Sequence, residues 1–108
     1  MRIDTSGHQM DITPALRDYV ESKLARLKRH FDQPFDVRTQ LRLDKLQHHA
    51  DATVSFAGRT LHAEATALDM YAAIDLLADK LDRLLLKQKE KLVDHHRGES
   101  LARNSELI

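Results

Sequence analysis

Between residues 35 and 43 the side chains alternate, with Phe35, Val37, Thr39, Leu41 and Leu43 set against Asp36, Arg38, Gln40 and Arg42. Period two marks a strand with one buried face, and Pro34 favours extended backbone just ahead of it. Two more alternating runs follow, with Ala52, Val54 and Phe56 inward and then Leu61, Ala63 and Ala65. Gly58 between them predicts a tight hairpin, whereas the connection through "DKLQHH" reads as looser. Near the start, "RIDTS" alternates over a shorter span and is expected to stop at Gly7.

The period changes to 3.6 in two places. From Pro14 to about His30, Leu16, Tyr19, Val20, Leu24, Leu27 and Phe31 form one apolar stripe. Thr13 is placed to cap that helix, and Pro14 suits its first position. The second stripe holds Met70, Ile74, Leu77, Leu81, Leu85 and Leu92, predicting a helix from Met70 to about Leu92 capped by Asp69. From Asp94 onward the periodicity fades and Gly98 intervenes, so residues 1–93 are expected to form one domain and 94–108 a flexible C-terminal tail.

The order is therefore β-α-β-β-β-α. Each strand has one apolar face and each helix one apolar stripe, so the simplest packing is an α+β fold: a four-stranded sheet carrying two parallel helices on one face. The small Ala52, Ala63 and Ala65 leave room beneath the helix leucines.

Charge adds what hydropathy does not. The chain holds 17 basic and 17 acidic residues among 108, yet they are segregated. Residues 17–30 carry five basic and two acidic side chains, residues 80–97 six and three, and the stretch from 31 to 79 four and eight. Lys80, Arg83, Lys87 and Lys91 recur at helical spacing and form a row about 16 Å long beside the leucine stripe. Asp75, Asp79, Asp82 and Glu90 lie further round the same helix, where Asp79 is also placed to pair with Arg83, and Glu90 with Lys87, about one turn away. On helix one, Lys23, Arg26 and Arg29 share one flank and Arg17 and Lys28 the other; the pattern does not say which flank meets helix two. Leu86 falls outside the leucine stripe as a candidate contact point.

Signs of catalysis are lacking. Seven histidines are present, but the pairs His48-His49 and His95-His96 point their members apart, and no HExxH, GxSxG, Walker or GxGxxG pattern occurs. The histidines are expected at the surface, and no cofactor or metal is expected. The absence of cysteine excludes disulfides and thiolate metal sites and fits a reducing cytoplasm. The start lacks a signal-peptide pattern and no run is long and apolar enough to span a membrane. Tyr19, Tyr71, Phe31, Phe35 and Phe56 all fall at core-like positions, which argues against a base-stacking platform. Two basic helices point instead to an anionic partner, either RNA or, as the alternative, an acidic protein.

Four segments carry a resemblance: "DITPALRDYVESKLARLKRHFD" (11–32), "ADATVSFAG" (50–58), "LHAEATALDMYAAIDLLADKLDR" (61–83) and "KQKEKL" (87–92). Together they resemble the short ribosome hibernation-promoting factors, the bacterial ribosome-associated inhibitors of translation. The resemblance implies a fold like double-stranded RNA-binding domains and a non-enzymatic role: binding 16S rRNA of the small (30S) subunit where mRNA and tRNA would lie, so that translation is inhibited in stationary phase or stress. It implies rRNA contacts by Lys23, Arg26, Arg29, Lys80, Arg83, Lys87 and Lys91. Its implied partners are the 30S subunit and 70S or 100S ribosomes, with a second ribosome-modulation factor needed for dimers, and the protein itself a monomer off the ribosome. Asp82, Leu84 and Leu86 depart from the more polar helix typical of that family.

Overall fold

The computed structural model describes residues 2–31 and 33–101, with side chains as far as Gln88. Four strands, β1 (Arg2–His8), β2 (Asp36–Asp44), β3 (Gln47–Phe56) and β4 (Arg59–Ala67), form one sheet in the order β1-β2-β3-β4. β1 pairs parallel to β2, and the remaining neighbours are antiparallel. α1 (Pro14–Leu24) continues as a 3₁₀ segment (Ala25–His30), and α2 spans Met70–Leu101. The β-α-β-β-β-α order and the α+β class are as expected.

Alternation explains the sheet. Val37, Thr39 and Leu41 of β2, Ala50, Ala52 and Val54 of β3, and Ala63 and Ala65 of β4 are buried on the helix side, while Arg38, Gln40 and Arg42 are exposed on the other. Leu16, Val20, Leu24 and Leu27 meet this face from helix one, and Met70, Ala73, Ile74, Leu77, Ala78, Leu81 and Leu85 from α2. The strand alanines let α2 sit close over β3 and β4. Both expected caps are present: Leu16 N–H donates to Thr13 Oγ1 at 3.1 Å, and Ala72 N–H to Asp69 Oδ1 at 2.9 Å. Each satisfies an amide that a helix start leaves without an intrahelical partner.

Four boundaries differ from the sequence reading. β1 does not stop at Gly7 but continues to His8. A Cβ at Gly7 would stand 2.3 Å from the Met10 carbonyl oxygen, so glycine here admits a close backbone approach inside the strand and does not end it. The connection between β2 and β3 is tighter than "DKLQHH" suggested: only Lys45 and Leu46 turn the chain, with Lys45 at φ 57°, and His48 and His49 already pair with Leu43 and Arg42. Helix one tightens to 3₁₀ geometry after Leu24. α2 runs nine residues past Leu92, so residues 94–101 of the expected tail are helical, and 102–108 lie outside the described residues.

At the β3–β4 hairpin both turn residues have positive φ, Ala57 at 47° and Gly58 at 75°, the arrangement of a type I′ turn. Alanine tolerates this region poorly and asparagine well. Ala57→Asn should therefore stabilise the fold by about 0.5–1 kcal/mol, read as a higher midpoint in urea unfolding; an unchanged or lower midpoint would contradict the assignment of strain to Ala57.

Candidate nucleic-acid interface

Helix one turns the Lys23, Arg26 and Arg29 flank toward α2, and α2 turns its aspartates to meet it. Lys23 Nζ lies 3.3 Å from Asp75 Oδ1, Arg26 pairs with Asp79, and Arg29 Nη2 lies 2.5 Å from Asp82 Oδ2. Because the partners advance together along both chains, the helices run parallel. The pairs form three rungs of a ladder on the solvent side of the helical layer.

Each rung has further support. The Tyr19 hydroxyl donates to Asp75 Oδ1 at 2.7 Å, which makes its proton harder to remove and raises the phenol's pKa. The hydrogen bond to Asp75 likewise raises the pKa of Lys23, whose ammonium also sits 5.4 Å from the Tyr19 ring centre. Tyr19 in turn meets Tyr71 edge-on, with ring centres 4.8 Å apart. The hydrogen bond from Arg26 holds Asp79 below the usual carboxylate range. For Asp82 desolvation pushes upward, but bonds from His30 and Arg29 outweigh it and the carboxyl is again lowered.

His30 Nε2 stands 2.7 Å from Asp82 Oδ1. An ionised carboxylate only accepts, so Nε2 carries the proton. With its side chain 7% exposed, His30 corrects the expectation that the histidines lie at the surface. His48 and His49 are half-buried, and the side chains of His95 and His96 lie outside the described residues. Tyr71, expected in the core, is half-exposed, with its ring edge-on to that of Tyr19.

A pH prediction follows from the ladder. A carboxyl lowered in the folded state stabilises above its unfolded pKa, about 3.9 for Asp, and loses that contribution as pH falls through the folded value. The melting temperature should therefore drop in acid below about pH 4, and less steeply for the Asp79→Asn, Asp82→Asn variant than for the unaltered chain. Parallel pH profiles for the two proteins would remove these aspartates from the acid response.

The other basic row lies on the flank of α2 away from helix one. Lys80 Nζ donates to the Glu64 carbonyl of edge strand β4 at 2.8 Å, tethering that flank to the sheet edge. Arg83 and Lys87 are exposed, and no carboxylate among the described side chains lies within 4 Å of either. Asp79, which the sequence offered to Arg83, is bound to Arg26 instead. Leu86 is half-exposed beside this row. Arg17 and Lys28, on the opposite flank of helix one, are exposed as well. The Lys91 side chain lies outside the described residues. The sequence-predicted basic residues thus separate into a carboxylate-paired trio and an outward row with a backbone tether. What sequence reasoning missed is the partnership of Asp75, Asp79 and Asp82 with helix one; their repeat of four and three was the available signal.

This arrangement, a basic helical layer on a four-stranded sheet, is that of a recognisable family: residues 3–93 match the family model described as "Sigma 54 modulation protein / S30EA ribosomal protein", and the chain belongs to that family. Among curated relatives, the "Ribosome hibernation promoting factor" of Azotobacter vinelandii is 50% identical over 99 residues, covering 92% of each chain. The protein of that name from Escherichia coli (strain K12) is 44% identical over 95 residues, 88% of this chain and 100% of its own. Two solved structures share the fold. A "ribosomal subunit interface protein" from Coxiella burnetii superposes with a TM-score of 0.74 at 37% identity, over 83% of this chain and 99% of its own. The Thermus thermophilus "Protein Y N-terminal domain" gives 0.75 at 37% identity, over 79% and 96%.

Proposed function

We propose that this protein is a ribosome hibernation factor that binds the 30S subunit at the decoding region, along the path of mRNA and tRNA, and so inhibits translation in stationary phase or stress. The observation that carries the reading is the exposed row of Lys80, Arg83 and Lys87, set on one helix, with no described carboxylate within 4 Å of Arg83 or Lys87. Lysine and arginine at helical spacing suit phosphate oxygens along a folded RNA backbone, where position and shape matter more than base identity. Names of relatives and solved structures alike, hibernation promoting factor and ribosomal subunit interface protein, support it.

In this reading residues 1–93 form the ribosome-binding unit and act in the cytoplasm without catalysis, as a monomer off the ribosome. Lys80, Arg83, Lys87 and Lys91 supply the principal phosphate contacts. Lys23, Arg26 and Arg29 contribute less, because carboxylates already partly neutralise them. Joining ribosomes into 100S particles would fall to a second factor. Co-sedimentation with 30S subunits tests the placement: loading mRNA and tRNA first should displace the protein. Equal binding to loaded and empty subunits would put it elsewhere, and RNase-resistant capture by an acidic protein would favour the alternative partner.

A further inference from the structure

We infer that Asp75, Asp79 and Asp82 act as a built-in brake on RNA affinity: they occupy Lys23, Arg26 and Arg29 in the free protein, confining strong phosphate binding to the outer row of α2. The inference rests on the ribosome reading and assigns to that interface a set of specificity-determining residues that never touch the ligand as partners. Three carboxylates in register with three cations, on the exposed side of the helical layer, are hard to explain as fold stabilisers alone. Exposed pairs contribute little to stability, and in two rungs both partners are open, Lys23 and Asp75 at 40% and 46% and Arg26 and Asp79 at 40% and 51% of their side-chain surface. In the third Arg29 keeps 63%, while Asp82, also bonded to His30, keeps 18%. The cations are open enough to meet a polyanion, and the aspartates are near enough to repel it.

Phosphate binding gains its salt dependence from counterions released from the nucleic acid, in proportion to the phosphates neutralised. A guanidinium already balanced by a carboxylate neutralises a phosphate only in part, since the carboxylate stays beside it. With the row of α2 as the effective set, about four phosphates are neutralised, and affinity should fall about 10²-fold between 50 and 200 mM salt. Freeing three more cations raises the number to about seven, and the same change in salt should then cost about 10³-fold or more. The aspartates would thus keep the complex weak enough to dissolve when conditions change.

The test compares the full chain with its Asp75→Asn, Asp79→Asn, Asp82→Asn variant in co-sedimentation with 70S ribosomes across that salt range. The variant should bind at least 10-fold more tightly at 50 mM and show the steeper salt response, whereas a purely structural role would leave the slope unmoved or weaken binding. Asp79→Asn alone, which keeps two rungs, should move both readouts in the same direction and decides the matter if the triple variant unfolds. Equal or weaker binding with an unchanged slope would overturn the brake while leaving ribosome binding intact. A wild-type chain that does not sediment with ribosomes would overturn the ribosome reading, and the brake with it.

Discussion

Replacing Lys80, Arg83 and Lys87 together with alanine should reduce ribosome affinity about 100-fold or more at low salt, with the helical circular dichroism signal unchanged. Hydrogen bonds to charged groups contribute about 1.5–3 kcal/mol each when removal leaves the partner unmatched, and three such losses exceed that factor even after heavy solvent screening. None of the three side chains is buried, so little packing is lost. Lys80 carries the one structural contact, its bond to the Glu64 carbonyl, and water can replace that at an exposed strand edge. The corresponding change in helix one, Lys23, Arg26 and Arg29 to alanine, should cost clearly less, because carboxylates already partly neutralise those cations and the repulsion from the aspartates left unpaired is screened by salt. If the helix-one variant lost more than the α2 variant, the ranking of the two rows would be wrong.

The second large effect is on the fold. Leu81 is fully buried on the inner face of α2, one residue from Lys80 and one from Asp82. Leu81→Ala removes apolar contact and leaves a cavity, at a cost of about 2–5 kcal/mol. Against the 5–15 kcal/mol typical of a domain, this should lower the melting temperature by about 8–40 °C, taking roughly 4–8 °C per kcal/mol for a chain near this size. Leu76→Ala, on the same helix but 46% exposed, should shift it by only a few degrees. A drop as large at Leu76 as at Leu81 would contradict the packing described. The pairing also separates two routes to lost activity: Leu81→Ala weakens ribosome binding by loosening the helix that carries the cations, the triple alanine variant by removing the cations themselves.

Much of this architecture was legible because side-chain period and burial coincide. β2 alternates without interruption and its inward residues are those found buried as far as Leu41; α2 buries Met70, Ile74, Leu77, Leu81 and Leu85 as their spacing requires. Thr13 and Asp69 cap as their chemistry suggests. Boundaries were less legible where one residue type allows two behaviours. Gly7 can end a strand or admit a close contact within one, and only the position of the Met10 carbonyl decides. The turn at Lys45 and Leu46 has neither glycine nor asparagine to mark it.

At the interface the sequence could place Lys23, Arg26 and Arg29 on one flank but not orient that flank. Orientation depends on how two helices rotate over the same sheet, a tertiary property without a local signature. His30 shows the same limit: its burial follows from docking against Asp82, not from its neighbours in the chain. The outer row of α2 was legible because one helix sets its own spacing, and its exposure follows from the leucine stripe beside it.

The central claim is that this protein holds RNA through phosphate charge presented by its helical layer. The most direct measurement is the dissociation constant for 70S ribosomes across a salt series from 50 to 200 mM. Phosphate binding by the row of α2 requires a loss of affinity of about 10²-fold over that range. A constant that stays level as salt rises would contradict it.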